Sequence, residues 1–188
     1  MRSLPLLEAA ESFIPKFAWP SLDNIKHQNS SALHWAIKTD NLRFAKILLS
    51  YHADLNALVD GYSPLMMAVI CESQLTFNLI LKKRNMLVNL RNLDGKSALW
   101  YSVEKESYAM VRQLLRHRDI HVDLLHVKGR TALWLAVFQG NKDIISLLVL
   151  KGANRDMRDE DGISPWSEAC IKKSEFIKYL LLEYWKYG

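Results

Sequence analysis

Three histidines, His117, His121 and His126, form the densest set of metal-ligating side chains in the sequence. A zinc site needs three or four such ligands converging on one point. Their spacings of four and five residues run along a loop rather than one helix face, so they read as solvated loop histidines, and no metal is expected. Tyr62, Tyr101, Glu104 and Lys105 carry the other chemistry-bearing groups. A phenol beside a carboxylate or amine does general acid–base work when burial shifts its pKa. The sequence contains no glycine-rich phosphate loop, no nucleophile elbow and no Cys-x-x-Cys pair. It therefore presents no recognised catalytic signature and calls for no cofactor.

The elements that position these residues come from a segment that recurs five times. It appears as Ser31-Ala32-Leu33-His34-Trp35-Ala36, Ser63-Pro64-Leu65-Met66-Met67-Ala68, Ser97-Ala98-Leu99-Trp100-Tyr101-Ser102, Thr131-Ala132-Leu133-Trp134-Leu135-Ala136 and Ser164-Pro165-Trp166-Ser167-Glu168-Ala169. The starts lie 32, 34, 34 and 33 positions apart. Around the fourth copy, Lys128-Gly129-Arg130 makes a turn tip and Thr131 is placed to cap the next helix. Leu133, Ala136 and Val137 recur at helical spacing, and Gly140-Asn141 ends that helix. A second helix follows, with Asp143 in its first turn and Ile144, Leu147, Leu148 and Leu150 as its apolar residues; Gly152 closes it. The other copies follow the same plan, with Leu75, Leu79, Ile80 and Leu81, then Val111, Leu114 and Leu115, then Phe176, Ile177, Leu180 and Leu181 in the second helices. The two 34-residue spacings place an extra residue after the second helix, around Arg84-Asn85-Met86 and Arg118-Asp119-Ile120.

These segments resemble the ankyrin signature Thr-Pro-Leu-His-x-Ala, and the period is that of stacked helix pairs. The Leu-Trp variants, Leu99-Trp100 and Leu133-Trp134, resemble those of fungal ankyrin proteins. The resemblance implies an all-α ankyrin-repeat solenoid of helix-turn-helix units joined by β-turn or hairpin loops. Residues 1–28 form an irregular cap, and repeats span about 29–57, 58–90, 91–124, 125–157 and 158–188. Only His34 keeps the signature histidine, which in the family hydrogen-bonds between adjacent loops; Met66, Trp100, Trp134 and Ser167 replace it elsewhere. The helix-breaking glycine survives only at Gly140.

The resemblance also implies a concave binding face made of turn tips and the exposed side of each first helix. Carried over by position, that face holds Trp35, Lys38, Tyr62, Met67, Ile70, Lys96, Tyr101, Lys105, Arg130, Leu135 and Phe138. Its centre is apolar and aromatic and its rim charged, which is the composition of an interaction hot spot. Packing between first helices is the competing role for Trp35, Met67 and Leu135, whereas Tyr62 and Phe138 are expected to be exposed. The expected work is non-catalytic recognition of a protein partner, a helix or extended segment with apolar anchors and some acidic residues. The alternative is binding or cyclisation of an apolar small molecule, with Tyr62, Tyr101, Glu104 and Lys105 converging in the same hollow.

Composition narrows the remaining options. The net charge of +5 is dispersed over Lys82-Lys83-Arg84, Arg112 to Arg118 and Lys172-Lys173, and no basic stripe is interleaved with aromatics, so no nucleic acid is expected. There is no apolar run of about 18 residues to span a membrane, and the first residues lack the apolar core of a secretory signal. Two cysteines, Cys71 and Cys170, fall in different repeats and read as small buried or half-buried thiols of a reducing compartment. An intracellular location, cytoplasmic or nuclear, is expected. The terminal Tyr184-Trp185-Lys186-Tyr187 either folds back on the last repeat or marks a self-association surface.

Overall fold

A computed structural model describes residues 29–126 and 128–183. The expected N-terminal cap and the aromatic C-terminus lie outside the described residues. Ten helices occupy the described part: α1 Asn29–Lys38, α2 Leu42–Ser50, α3 Pro64–Ile70, α4 Gln74–Leu81, α5 Ala98–Glu104, α6 Tyr108–Leu115, α7 Ala132–Gln139, α8 Lys142–Leu150, α9 Pro165–Ile171 and α10 Glu175–Glu183. No strand is found among them; two isolated bridges, Val59 with Tyr62 and Arg91 with Ser97, close turn tips. The chain divides into two compact units, Met1–Leu87 and Val88–Gly188.

The recurring segment is a helix start because of its first residue. The Ser63, Ser97, Thr131 and Ser164 hydroxyls each accept a hydrogen bond from the backbone N–H three residues on. Pro64 and Pro165 fall at the first helical positions, where a missing N–H leaves no bond unmade. Asn41 and Asn141 do the same work for the second helices α2 and α8. Ser73, by contrast, sends its hydroxyl to the Ile37 carbonyl, 3.2 Å away, and so joins the first two repeats.

Each first helix ends in a residue of left-handed backbone at one register: Asp40, Glu72, Glu106, Gly140 and Lys173, with φ between 50° and 79°. The turn therefore persists where its glycine does not, and four side-chain-bearing residues hold a conformation that costs about 1 kcal/mol.

Within the first unit α1 packs on α2 and α3, and α3 on α4; within the second, α5, α7 and α9 pack in series, as do α6, α8 and α10. The core is the inner side of these helices, including Leu33, Leu65, Leu99, Leu133 and Ala169 from the recurring segment. Several residues expected on the buried stripe point to solvent instead: Leu75, Leu150 and Phe176 are exposed, while Phe77, Ile145 and Val149 are buried. The second helices are only 8 or 9 residues long, so their buried stripe is narrow and alternative apolar positions compete for it. Cys71 and Cys170 are exposed rather than buried, because both stand at the solvent-facing ends of first helices.

Asparagine side chains tie successive loops together. Asn56 donates to the Asn85 carbonyl and accepts from the Leu87 N–H. Asn89 makes the same two-point bracket with the Asp119 carbonyl and the His121 N–H. At the third such position Asp123 accepts from the Asn154 N–H, but a carboxylate has no hydrogen to return.

Candidate interaction surface

In the second unit, short capped helices hold the first-helix face in a fixed register. Thr131 and Gly140 fix both ends of α7, so Trp134 and Phe138, one turn apart, lie on the same side. Their rings stack with centroids 5.2 Å apart and 11° between planes. The Arg130 guanidinium lies over Trp134 at 3.9 Å, and the Lys172 ammonium over Phe138 at 4.7 Å. Lys172 also donates to the Phe138 carbonyl. Phe138 is 50% exposed at the end of this ladder, and Ile171, at the same register one repeat on, is 62% exposed.

Arg130 is held from below as well. It donates to Asp159 at 2.9 Å and to Asp161 at 3.3 Å. The Asp159 side chain is only 1% exposed. Burial alone would raise its pKa, but the Arg130 hydrogen bond and charge and the N–H groups of Ile163 and Asp161 outweigh it and hold the carboxyl below its ordinary range. Gly129 next to Arg130 has φ +71°, and the backbone of Asp159 and Glu160 approaches it so closely that an added Cβ would lie 3.3 Å from the Asp159 Cα.

One repeat earlier, Lys96 plays the corresponding part. Its ammonium lies 2.8 Å from Glu104 and 5.4 Å from the centre of the Tyr101 ring. Tyr101 is 7% exposed and its hydroxyl accepts from Asn92 at 3.0 Å. Tyr101 thus backs this surface from inside, contrary to its expected place among exposed anchors, because the short α5 turns its fourth residue toward the turn tip. Trp100, in the signature-histidine position, stacks on His126 of the next turn at 4.5 Å and 12°. Burial in that stack, with Lys96 adding to it, pushes the His126 pKa below the ordinary imidazole range. The Nε1 groups of Trp100 and Trp134 are buried and meet no acceptor among the described residues.

A family model described as ankyrin repeats (3 copies) matches residues 6–92, 76–159 and 99–187. The chain belongs to the ankyrin repeat family. No curated protein matches it. Ankyrin repeats are generally protein-interaction modules, and the helix pairs, capped first helices and turn tips of this chain are the all-α ankyrin architecture. Among the described residues no helix is long and apolar enough to cross a membrane.

Read as an ankyrin surface, the positions expected to meet a partner fall into groups. In the first unit, His34 keeps the family's loop contact: its Nε2 donates to the Tyr62 carbonyl at 2.8 Å. Tyr62, Met67 and Ile70 are half-buried and Lys38 is exposed. Trp35 is half-buried, edge-on to Phe44 at 6.1 Å, which is the packing role. In the second unit Phe138 and Lys105 are exposed, and Leu135, Lys96 and Arg130 are half-buried. The charges of Lys96 and Arg130 are matched by neighbouring carboxylates, so they stiffen the surface more than they charge it.

Of the acid–base set, Tyr62 lies in the first unit and Tyr101, Glu104 and Lys105 in the second. An exposed glutamate bridged by lysine beside a buried, hydrogen-bonded phenol is an anchoring arrangement rather than a proton relay. The histidines take separate tasks: His117 lies 3.9 Å from Asp119, the His121 N–H serves the Asn89 bracket, and His126 stacks on Trp100.

Sequence reasoning left two exposed apolar residues out of the site. Leu93, 92% exposed at a turn tip, and Leu125, with Leu90, Arg91 and His126, line a cavity of about 480 Å³. The signal was present in the turn Asn92-Leu93-Asp94-Gly95, where a leucine stands among turn-forming polar residues.

Proposed function

We propose that this protein is a non-catalytic interaction module that binds a protein partner on the first-helix face of its second unit, with Phe138 as the central anchor. The observation that carries this reading is the exposed Phe138 ring, clamped between the Trp134 indole and the Lys172 ammonium. A ring already immobile in the free protein loses little entropy on binding, and half of its surface is still available to desolvate. Ile171 extends the apolar patch to the next repeat, and Lys105 and Lys172 border it with cationic side chains. The partner is a helix or extended segment with at least one apolar anchor for Phe138 and Ile171, and acidic residues beside it. Exposed thiols at Cys71 and Cys170 fit a reducing, intracellular setting.

The test is affinity capture with the native chain, a Phe138→Ala/Ile171→Ala variant and a Leu150→Ala control, each checked for unchanged melting. A partner held by native chain and control but lost by the double variant supports this face. A partner held equally by all three removes it.

A further inference from the structure

A second site lies in the first unit between the loops that follow α2 and α4. A cavity of about 510 Å³ is lined by Leu49, His52, Leu55, Lys83 and Arg84, with Ala53, Asp54, Asn56 and Asn85 completing the wall. That volume suits a ligand of metabolite size.

Basic side chains gather around it. Arg118, Arg130, Lys96 and Lys178 all have carboxylate partners. Lys82, Lys83 and Arg84 have none among the described residues, although Lys83 is half-buried. The one acid in the wall, Asp54, is turned to its own loop and accepts from the Asn56 N–H at 2.8 Å. The cavity therefore gathers an ammonium, a guanidinium and an imidazole against the single Asp54 carboxylate, beside the apolar Leu49 and Leu55.

Two features of the backbone build this arrangement. The loop after α4 carries one extra residue relative to the 33-residue period, and that lengthened stretch supplies Lys83, Arg84 and Asn85. Across from it His52 holds a left-handed backbone at φ 61°, where the corresponding residue of the fourth repeat is Gly152 at φ 89°. The left-handed position thus carries an imidazole here, where glycine offers no side chain.

We infer that this cavity binds a phosphate monoester, with Lys83, Arg84 and His52 meeting the phosphate and Leu49 and Leu55 meeting the organic group that carries it. Arginine supplies two parallel N–H donors to phosphate oxygens and lysine a mobile point charge, so each cation has a defined part.

The experiment titrates the full chain at low salt with phenyl phosphate, inorganic phosphate, benzyl alcohol and a peptide bearing one phosphoserine, by calorimetry. One-to-one saturable binding of a monoester is expected, weaker for inorganic phosphate and absent for benzyl alcohol. Lys83→Ala/Arg84→Ala should weaken it at least about tenfold, with circular dichroism unchanged, whereas Lys142→Ala should not. Tighter binding of the peptide would assign the monoester to a modified side chain, and tighter binding of phenyl phosphate to a free metabolite; either supports the site. No saturable binding of either monoester, or equal binding by the folded double variant, overturns it.

Discussion

The Trp134 indole lies parallel to the Phe138 ring, 5.2 Å between centroids, and through this contact a buried side chain fixes an exposed one. Trp134 occupies the place where His34 makes its loop hydrogen bond, but its stack with Phe138 stays within one helix. Removing the indole should cost about 3–5 kcal/mol for Trp134→Ala. Trp134→Phe keeps a stacking surface and deletes an unpartnered Nε1 group, so it should cost about 1 kcal/mol. Urea unfolding of both variants checks this; equal losses would show that the ring contact is incidental.

Asp123 should be a liability at neutral pH. Burial raises its pKa above 3.8, with the Asn154 N–H opposing the rise. The folded chain therefore binds this proton more readily than the unfolded one. The linked stability is full below the unfolded pKa and is lost as pH rises through the folded value. Asp123→Asn restores an amide that can donate to the Gly152 carbonyl, as Asn56 and Asn89 do to theirs, and should stabilise the fold by about 1 kcal/mol at pH 7. The gain should shrink toward pH 4. A destabilised Asn variant at pH 7 would contradict the bracket.

The left-handed turn after each first helix makes a reciprocal prediction. Lys173→Gly relieves backbone strain at φ 52° and should stabilise by about 0.5 kcal/mol after the entropy cost of glycine. Gly140→Ala places a side chain at φ 79° and should destabilise by about 1 kcal/mol. Melting temperatures that shift in opposite directions support the assignment, and a common direction refutes it.

Gly129→Ala should destabilise by about 1–3 kcal/mol, more than Gly140→Ala. Both glycines have positive φ, but a Cβ at 129 meets the backbone of Asp159 and Glu160, whereas one at 140 meets nothing within 4 Å. Chemical denaturation of the pair separates backbone strain from steric contact; equal losses would mean the Asp159 turn moves freely.

Arg130→Ala leaves the buried Asp159 carboxylate without its guanidinium and should cost about 2 kcal/mol at pH 7. Because that carboxyl is held below its ordinary range, its contribution is present above the unfolded pKa and disappears as pH falls through the folded value. The native–variant difference should thus narrow in acid. A difference that stays constant with pH would assign the loss to packing on Trp134 instead.

The repeat order, the helix starts and much of the core follow from local chemistry that a sequence carries openly. A hydroxyl caps at Ser63, Ser97, Thr131 and Ser164, and apolar spacing places Leu133, Ala136 and Val137 inside. Those effects act over one turn of helix, so neighbours in sequence decide them. The sequence also marked the extra loop residue at Arg84-Asn85-Met86 and the lost histidines.

Tertiary structure decided which side chains are exposed and which are paired. Tyr101 turned inward to Asn92, Arg130 was neutralised by Asp159 and Asp161, and Cys71 and Cys170 came to the surface. It also set the Phe138 ring against Trp134 and Lys172, and placed the unpaired Lys83 and Arg84 across a cavity from His52. Exposure and pairing of a side chain depend on which atoms of the next repeat reach it. A position in a repeat register specifies the backbone, and the variable side chains of adjacent repeats settle the surface between them.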